Sequence, residues 1–353
     1  MRVLSLDGMS AAALQIRLIR AFEQANPGFI RSVDCFVGAS DGGYMALFLA
    51  SRVTDDDAAN LAMLDEAIAF NNALVPLFHL TLRKGLKFAT GWYPLLCVDQ
   101  FRQVFQRYLG DGTLGQVRPR LVVCSFGAIS WSPVIYSNLE PGVAPGPHRR
   151  GTPDTALVDL ALATSALPLA LPMYGKGAAR VIDGGWVATN PTMLGVAELC
   201  RAQARLRAVD PTAVLASLRV LSLGARDSLA ERKSVLNRPP FGTGYLFSRN
   251  AWGWMQWIVL RPWLLLDMSL QGTISLAHQE LLSILPEARY RRIHPQMSEI
   301  QDGWRLLLGC PDRLIRSFDQ QALSLVGDPL WFDAHNRWIR DHYLSPEAAA
   351  GTR

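Results

Sequence analysis

The chain holds only five cysteines, Cys35, Cys97, Cys124, Cys200 and Cys310, scattered and odd in number. Their spacing fits neither a zinc-ligand pattern nor a disulfide framework, so they read as buried thiols of a reducing compartment. The six histidines form no H-x-x-x-H or H-E-x-x-H arrangement, which removes the usual helical zinc motifs. Dense lysine and arginine runs are also missing. The net charge of +5 is spread along the chain, almost wholly on arginine, and leaves no nucleic-acid footprint. Such a charge suits an anionic membrane surface, and it suits plain solubility equally well. The first residues do not read as a signal peptide, because Asp7 interrupts their apolar stretch; a cytoplasmic location is the expectation. No repeat at solenoid or propeller periods is present.

What is there is a chain of 353 residues, half of them hydrophobic, long enough to bury a large core in one extended α/β domain. The Pro/Gly stretch Pro141–Pro147 is short and reads as a surface loop rather than a linker. Apolar patterning predicts strands over 2–6, 33–37, 119–125, 133–137, 179–182 and 218–223. Helices are predicted over 11–24, 42–52, 56–72, 99–109, 155–165 and 190–207. An irregular apolar segment is expected at 73–98 and a mostly helical C-terminal third after 223. Alternating strands and helices imply a mainly parallel sheet covered on both faces.

Two short motifs carry chemistry. Gly38-Ala39-Ser40-Asp41-Gly42 spells G-x-S-x-G between the strand-like run Val33–Val37 and the helix-like run Gly43–Ala50. Strand, sharp turn and helix are the setting of a nucleophile elbow. Small residues beside Ser40 let the backbone bend and a carbonyl approach, while the following helix aims its N–H groups at the site. Downstream, Ala179-Arg180-Val181-Ile182-Asp183-Gly184-Gly185 delivers an aspartate at a strand end, with Gly184 and Gly185 leaving it open to approach. A serine hydroxyl needs a base for its proton, and an aspartate held close to it can serve. Taken alone, Asp-Gly-Gly also reads as a turn.

In order and context these motifs resemble the patatin-like phospholipase family. Val3–Gly8 resembles its first strand and the start of its oxyanion loop, and Phe36–Gly43 its nucleophile block. Leu162–Pro168 is similar to the helix end before the family's acid, Ile182–Pro191 to the acid block, and Val220–Gly224 to a late strand. Tyr290-Arg291-Arg292-Ile293 matches only loosely. The resemblance implies a patatin-like three-layer α/β fold with a mainly parallel central sheet flanked by helices. It implies an acyl hydrolase domain over residues 1–300, with core motifs in 1–225, and a helical extension over 301–353 packed on the same domain. By resemblance, Ser40 is the nucleophile and Asp183 its base, a dyad without histidine. The oxyanion would be held by the N–H groups of Gly8, Met9, Ser10 and Ala11 with that of Asp41. The substrates implied are acyl lipids or phospholipids, in a phospholipase A or lysophospholipase reaction. No metal or organic cofactor and no nucleic acid is implied.

The chain departs from the family at one place. The family's loop reads D-G-G-G-x-R-G, whereas this chain reads Asp7-Gly8-Met9-Ser10-Ala11-Ala12-Ala13, with Ala12 at the arginine position. Met9 and Ser10 adopt positive φ less readily than glycine. Two function classes follow: a lipid acyl hydrolase with low or conditional turnover, and a non-catalytic relative that binds lipid or a partner.

Other patterns in the chain compete with these. Gly110–Gly115 spells G-x-G-x-x-G, but it follows a helix and leads into a strand, the reverse of the dinucleotide motif. His278 or His294 would complete a Ser-Asp-His triad of α/β-hydrolase order, although Ser40 follows only the second strand. The aromatic stretch Tyr245–Leu266 is broken by Arg261 and Pro262, so neither half supplies the ~20 apolar residues of a bilayer span. Its Trp252, Trp254, Trp257 and Arg261 suit a membrane interface, and a buried helix explains the segment as well. Leu77–Phe88 mixes cations and apolar residues, which suits lipid headgroups or a solvated basic edge.

Overall fold

A computed structural model describes residues 1–9, 12–140, 151–175, 177–224, 262–295 and 309–345. Within them the sheet runs in the order β4-β3-β2-β1-β6-β7, where β1 is Arg2–Leu6, β2 Cys35–Ala39, β3 Arg120–Gly127, β4 Ser132–Ser137, β6 Arg219–Leu223 and β7 Tyr290–Ile293. The pairs β1–β2, β1–β6, β2–β3 and β6–β7 are parallel. β4 returns antiparallel along β3, and the short β5 (Val181–Ile182) pairs antiparallel with its end. The register aligns the strand ends: Leu6 lies opposite both Gly38 and Leu223, and Leu223 opposite Ile293. The residues that follow these four positions therefore emerge at one edge of the sheet, where α/β folds place their chemistry.

Side chains alternate across the strands and build two cores. Leu4, Leu6 and Phe36 pack into one with α1 (Ala12–Ala25), α2 (Ser40–Arg52), α3 (Asp57–Leu74), α5 (Val98–Leu109) and α6 (Leu157–Thr164). Val3, Cys35 and Val37 enter the other, beneath Val196, Leu199 and Ala202 of α8 (Thr192–Arg207) and Leu281 of α10 (Pro262–Ile284). The result is three layers. Asp57–Phe78 is long and apolar enough to cross a membrane by composition alone, but here it is α3 and the turn after it, with Leu64, Ala67 and Phe70 fully buried. The C-terminal helices α11 (Pro311–Val326) and α12 (Pro329–Trp338) also join the first core. Arg17 of α1 bonds Asp319 at 2.7 Å, and Phe22 stacks on Phe332 at 5.3 Å between ring centroids.

Two expectations are corrected. The segment 73–98 is not wholly irregular, since Leu82–Ala89 forms helix α4; the pattern hid it because none of its residues is buried. The C-terminal third is not only helical either. Tyr290–Ile293 completes the sheet as β7, and its two central arginines break the apolar run that signals a strand. Two further short helices are α7 (Gly185–Ala188) and α9 (Pro211–Ser217).

Candidate active site

β2 passes into α2 without a loop. Ala39 is still extended (φ −134°, ψ 143°), and Ser40, the next residue, takes φ +54° and opens the helix. An L-residue there costs roughly 1–2 kcal/mol, so the surroundings must impose it. They do so by contact. A Cβ on Gly38 would stand 2.3 Å from the Gly42 carbonyl oxygen, and one on Gly42 would stand 2.3 Å from that of Leu6. Only glycines let the end of β2, the first turn of α2 and the end of β1 approach this closely.

Asp183 follows β5 and is 3% exposed. Ser40 Oγ donates to its Oδ2 at 2.7 Å, and the Gly185 N–H donates to its Oδ1 at 2.6 Å. Both residues are set by the end of α6. The Thr164 hydroxyl accepts from the Ser40 N–H at 2.9 Å and donates to the Cys124 carbonyl at 2.8 Å. The carbonyls of Thr164 and Ala166 accept from the N–H groups of Gly184 (2.8 Å) and Asp183 (3.0 Å). Thr164 thus links the nucleophile candidate, the base candidate and β3 through one buried residue. Burial pushes the Asp183 carboxyl up to about 6, against the stabilising hydrogen bonds from Ser40 and Gly185. A base near that value is ionised at neutral pH yet protonates readily, as general-base work requires.

The loop after β1 closes the site from the other side. The Gly8 N–H, expected among the oxyanion donors, here donates to the Thr189 carbonyl at 3.0 Å. Its contribution is space, since a Cβ there would meet Ser40 Cβ at 3.0 Å. Met9 stands where the family has its second loop glycine, and it holds φ +71°, so the methionine carries a glycine-like conformation. Ser10 and Ala11 lie outside the described residues. Past them, the Ala12 N–H donates to Asp41 Oδ2 at 2.9 Å, tying the start of α1 to the first turn of α2.

Behind the loop lies an ion pair that sequence reasoning missed. Arg292 of β7 donates to Asp7 Oδ2 at 2.5 Å and Oδ1 at 3.3 Å, and to the Ser222 hydroxyl at 2.7 Å. Both partners are buried. Burial drives the Asp7 carboxyl upward and Arg292 opposes it. Gln15 adds a second clamp, its Nε2 donating to the carbonyls of Asp7 at 3.1 Å and Leu223 at 2.8 Å. The only sequence hint was the loose match at 290–293.

The remaining candidates sort simply. His278 Nδ1 is 2.9 Å from the Tyr290 hydroxyl, and the rings of His278 and His294 stand 6.4 Å apart. The direct 2.7 Å contact between Ser40 and Asp183 leaves no room for an imidazole between them. Gly110–Gly115 caps α5 and leads through a 3-10 turn (Leu114–Gln116) toward β3, so it opens no helix of a dinucleotide site. Trp252, Trp254, Trp257 and Arg261 lie outside the described residues.

Comparison with known proteins follows from this geometry. The family model for patatin-like phospholipase matches residues 6–196, a span that includes Ser40, Thr164 and Asp183 but not Arg292. The chain is 28% identical over 273 residues to a cGAMP-activated phospholipase of Vibrio cholerae, covering 73% of this chain and 72% of that protein. It is 25% identical over 257 residues to Protein teg of Priestia megaterium, covering 70% and 69%. It is 32% identical over 126 residues to Patatin-like protein 2 of Arabidopsis thaliana, covering 33% and 29%.

Proposed function

The chain belongs to the patatin-like phospholipase family, and from that premise we propose that it is a serine hydrolase of acyl lipids working through Ser40 and Asp183. The observation that carries this reading is the 2.7 Å hydrogen bond from Ser40 Oγ to a buried aspartate whose carboxyl is pushed up to about 6.

In this mechanism Ser40 Oγ attacks the ester carbonyl carbon of a bound acyl lipid while its proton passes to Asp183 Oδ2. The negative charge that gathers on the carbonyl oxygen is met by N–H groups of the loop after Gly8 and of Asp41 at the start of α2. One such donor is worth ~100- to 1000-fold in rate. Collapse expels the alcohol, which takes the proton back from Asp183 and leaves the acyl group on Ser40. Water then gives a proton to Asp183 and attacks the acyl carbonyl, and collapse releases the fatty acid as Ser40 Oγ takes that proton back from Asp183. The Gly185 N–H holds the far oxygen of the carboxylate throughout and keeps Oδ2 aimed at Ser40.

The test is labelling by a fluorophosphonate probe, followed by fatty-acid release from phospholipids and lysophospholipids. Labelling of the wild type that disappears in Ser40→Ala and in Asp183→Asn supports the dyad. Folded wild type that does not label refutes it and favours the non-catalytic relative, a lipid- or partner-binding protein built on the same fold.

A further inference from the structure

Among the described residues, large apolar side chains stand in solvent at several places, Leu323 and Leu330 of α11 and α12 among them, and one group of them gathers on three neighbouring segments. Trp92 is 87% exposed, and Leu82 and Trp131 are each 82% exposed, with Leu86, Leu169 and Ile129 also exposed. They come from three segments that the backbone ties together. The 90–96 segment after α4 pairs with the loop after α6, through Leu95 N–H to the Leu169 carbonyl (3.0 Å) and Leu96 N–H to that of Ala170 (2.8 Å). That loop pairs onward with β5 through Tyr174 and Val181, and β5 holds the β3–β4 turn through the Ala128 N–H to Arg180 carbonyl bond (2.9 Å). The Asp183 N–H is bonded to the same loop at Ala166. Together they form a rim beside the site described above.

Three further properties separate this rim from ordinary surface. First, α4 is amphipathic but buries nothing. At 100° per residue, Arg83, Lys84 and Lys87 share one arc and Leu82, Leu86 and Ala89 the opposite one, yet no residue of the helix is buried. Second, the three segments contribute no carboxylate of their own: residues 67–98, 126–139 and 166–182 contain not one aspartate or glutamate, although Asp159 of α6 accepts from the Tyr174 hydroxyl. Third, Trp131 and Leu169 present their side chains from positive φ, +51° and +71°, where a glycine would be the relaxed choice. An isolated exposed leucine needs no explanation, but six large apolar side chains on segments tied together through the backbone do.

We propose that this rim docks the protein onto anionic phospholipid bilayers. Leu82, Leu86, Trp92 and Trp131 would enter the headgroup–acyl boundary, and Arg83 and Lys87 would meet lipid phosphates. The charge decides the occupant: cations beside exposed tryptophan and leucine, on segments without an acid of their own, match an anionic lipid surface. Lys84 plays a different part, because its Nζ donates to the carbonyls of Leu77 and His79 and anchors the helix. That the partner is lipid, and that the rim delivers it to Ser40, rests on the hydrolase reading above.

The test uses full-length protein carrying Ser40→Ala, so that vesicles stay intact. Co-sedimentation is measured with vesicles of phosphatidylcholine alone and with one-third phosphatidylglycerol. The expected result is binding to the anionic vesicles that weakens with added salt. It falls at least about tenfold in Arg83→Glu/Lys87→Glu, since each cation near such a surface is worth about fivefold. Leu86→Asp/Trp92→Asp should lose binding as well, with thermal midpoints confirming that these exposed changes leave the fold intact. A second readout is quenching of tryptophan emission by brominated phosphatidylcholine. Trp92→Phe/Trp131→Phe should still bind but lose most of the quenching. No vesicle binding by the parent protein, unchanged binding in the charge-reversal variant, or full quenching in the phenylalanine variant would each overturn the proposal. Fluorophosphonate labelling is read without vesicles. A failure of docking and a failure of the hydrolase reading are therefore separate results.

Discussion

Arg292 holds Asp7 by two hydrogen bonds across 285 residues of sequence, joining the last strand of the sheet to the residue that opens the loop over Ser40. The same guanidinium reaches the Ser222 hydroxyl, which lies 2.9 Å from Thr192 Oγ1. Thr192 Oγ1 in turn lies 2.9 Å from the Ser5 hydroxyl. A charge buried this deeply is stable only while its partners are complete. The family's loop arginine is missing here, and a cation from β7 stands behind the loop instead.

Replacing that cation should hurt twice. Arg292→Met leaves the Asp7 carboxylate buried and unpaired, an expected loss of about 3–5 kcal/mol of stability at neutral pH. Arg292→Lys keeps the charge without the two-pronged geometry and should fall between. Thermal unfolding checks the order. Under conditions where all three proteins are folded, kcat should fall more than KM rises, because the loop faces the reacting carbonyl.

Turnover should switch on with pH through the Asp183 carboxyl. The carboxylate must be ionised to take the Ser40 proton, and burial holds its value at about 6. The expected kcat/KM therefore rises about tenfold per unit below pH 6 and levels off near neutrality. A flat profile across this range would remove Asp183 from the rate-limiting proton transfer.

Stability should move the other way in the same window. The folded carboxyl is raised above the ordinary 3.8, so between about pH 4 and 6 the folded state holds more protons than the unfolded one. Stability contributed at this site is therefore lost as pH rises through that range. Asp183→Asn removes the buried charge and should raise the thermal midpoint at neutral pH by about 2 °C or more while abolishing turnover. A lower midpoint would contradict the burial argument.

Thr164 tests positioning apart from chemistry. Thr164→Val keeps the shape but leaves the Ser40 N–H and the Cys124 carbonyl without their partner, at roughly 1–3 kcal/mol each. Turnover should drop at least about tenfold with KM little changed, and Thr164→Ser should restore most of it. Failure of the serine variant to rescue would mean that the methyl group, not the hydroxyl, matters.

Met9 tests the loop conformation. At φ +71° a glycine is relaxed and a β-branched residue is strained, so Met9→Gly and Met9→Val should part in opposite directions. Met9→Gly is expected to keep or raise turnover, whereas Met9→Val should lower both turnover and midpoint, by about 2 kcal/mol or more in stability. Equal effects in calorimetry and initial-rate assays would show that backbone strain at this position is irrelevant.

The strand–helix alternation, the parallel sheet and the turn at Ser40 were legible because each depends on neighbours in sequence. Apolar residues at period two signal strands, and glycines at positions 38 and 42 signal a turn whatever surrounds it. Asp183 was legible for the same reason, as a carboxylate ending a β-branched run. β7 was hidden because Arg291 and Arg292 interrupt its pattern, and Arg292 makes sense only beside Asp7. Helix α4 was hidden because pattern reading assumes that an apolar face is buried, and this one is not. Local sequence thus determined most of the elements up to β6 and their order. Tertiary structure alone decided that Ser40 Oγ and Asp183 Oδ2 meet at 2.7 Å, that Thr164 holds both residues, and that Gly8 N–H turns to Thr189. The physical reason is that sequence pattern reports burial and local φ/ψ, whereas a hydrogen bond between distant residues depends on where the whole sheet brings their strand ends.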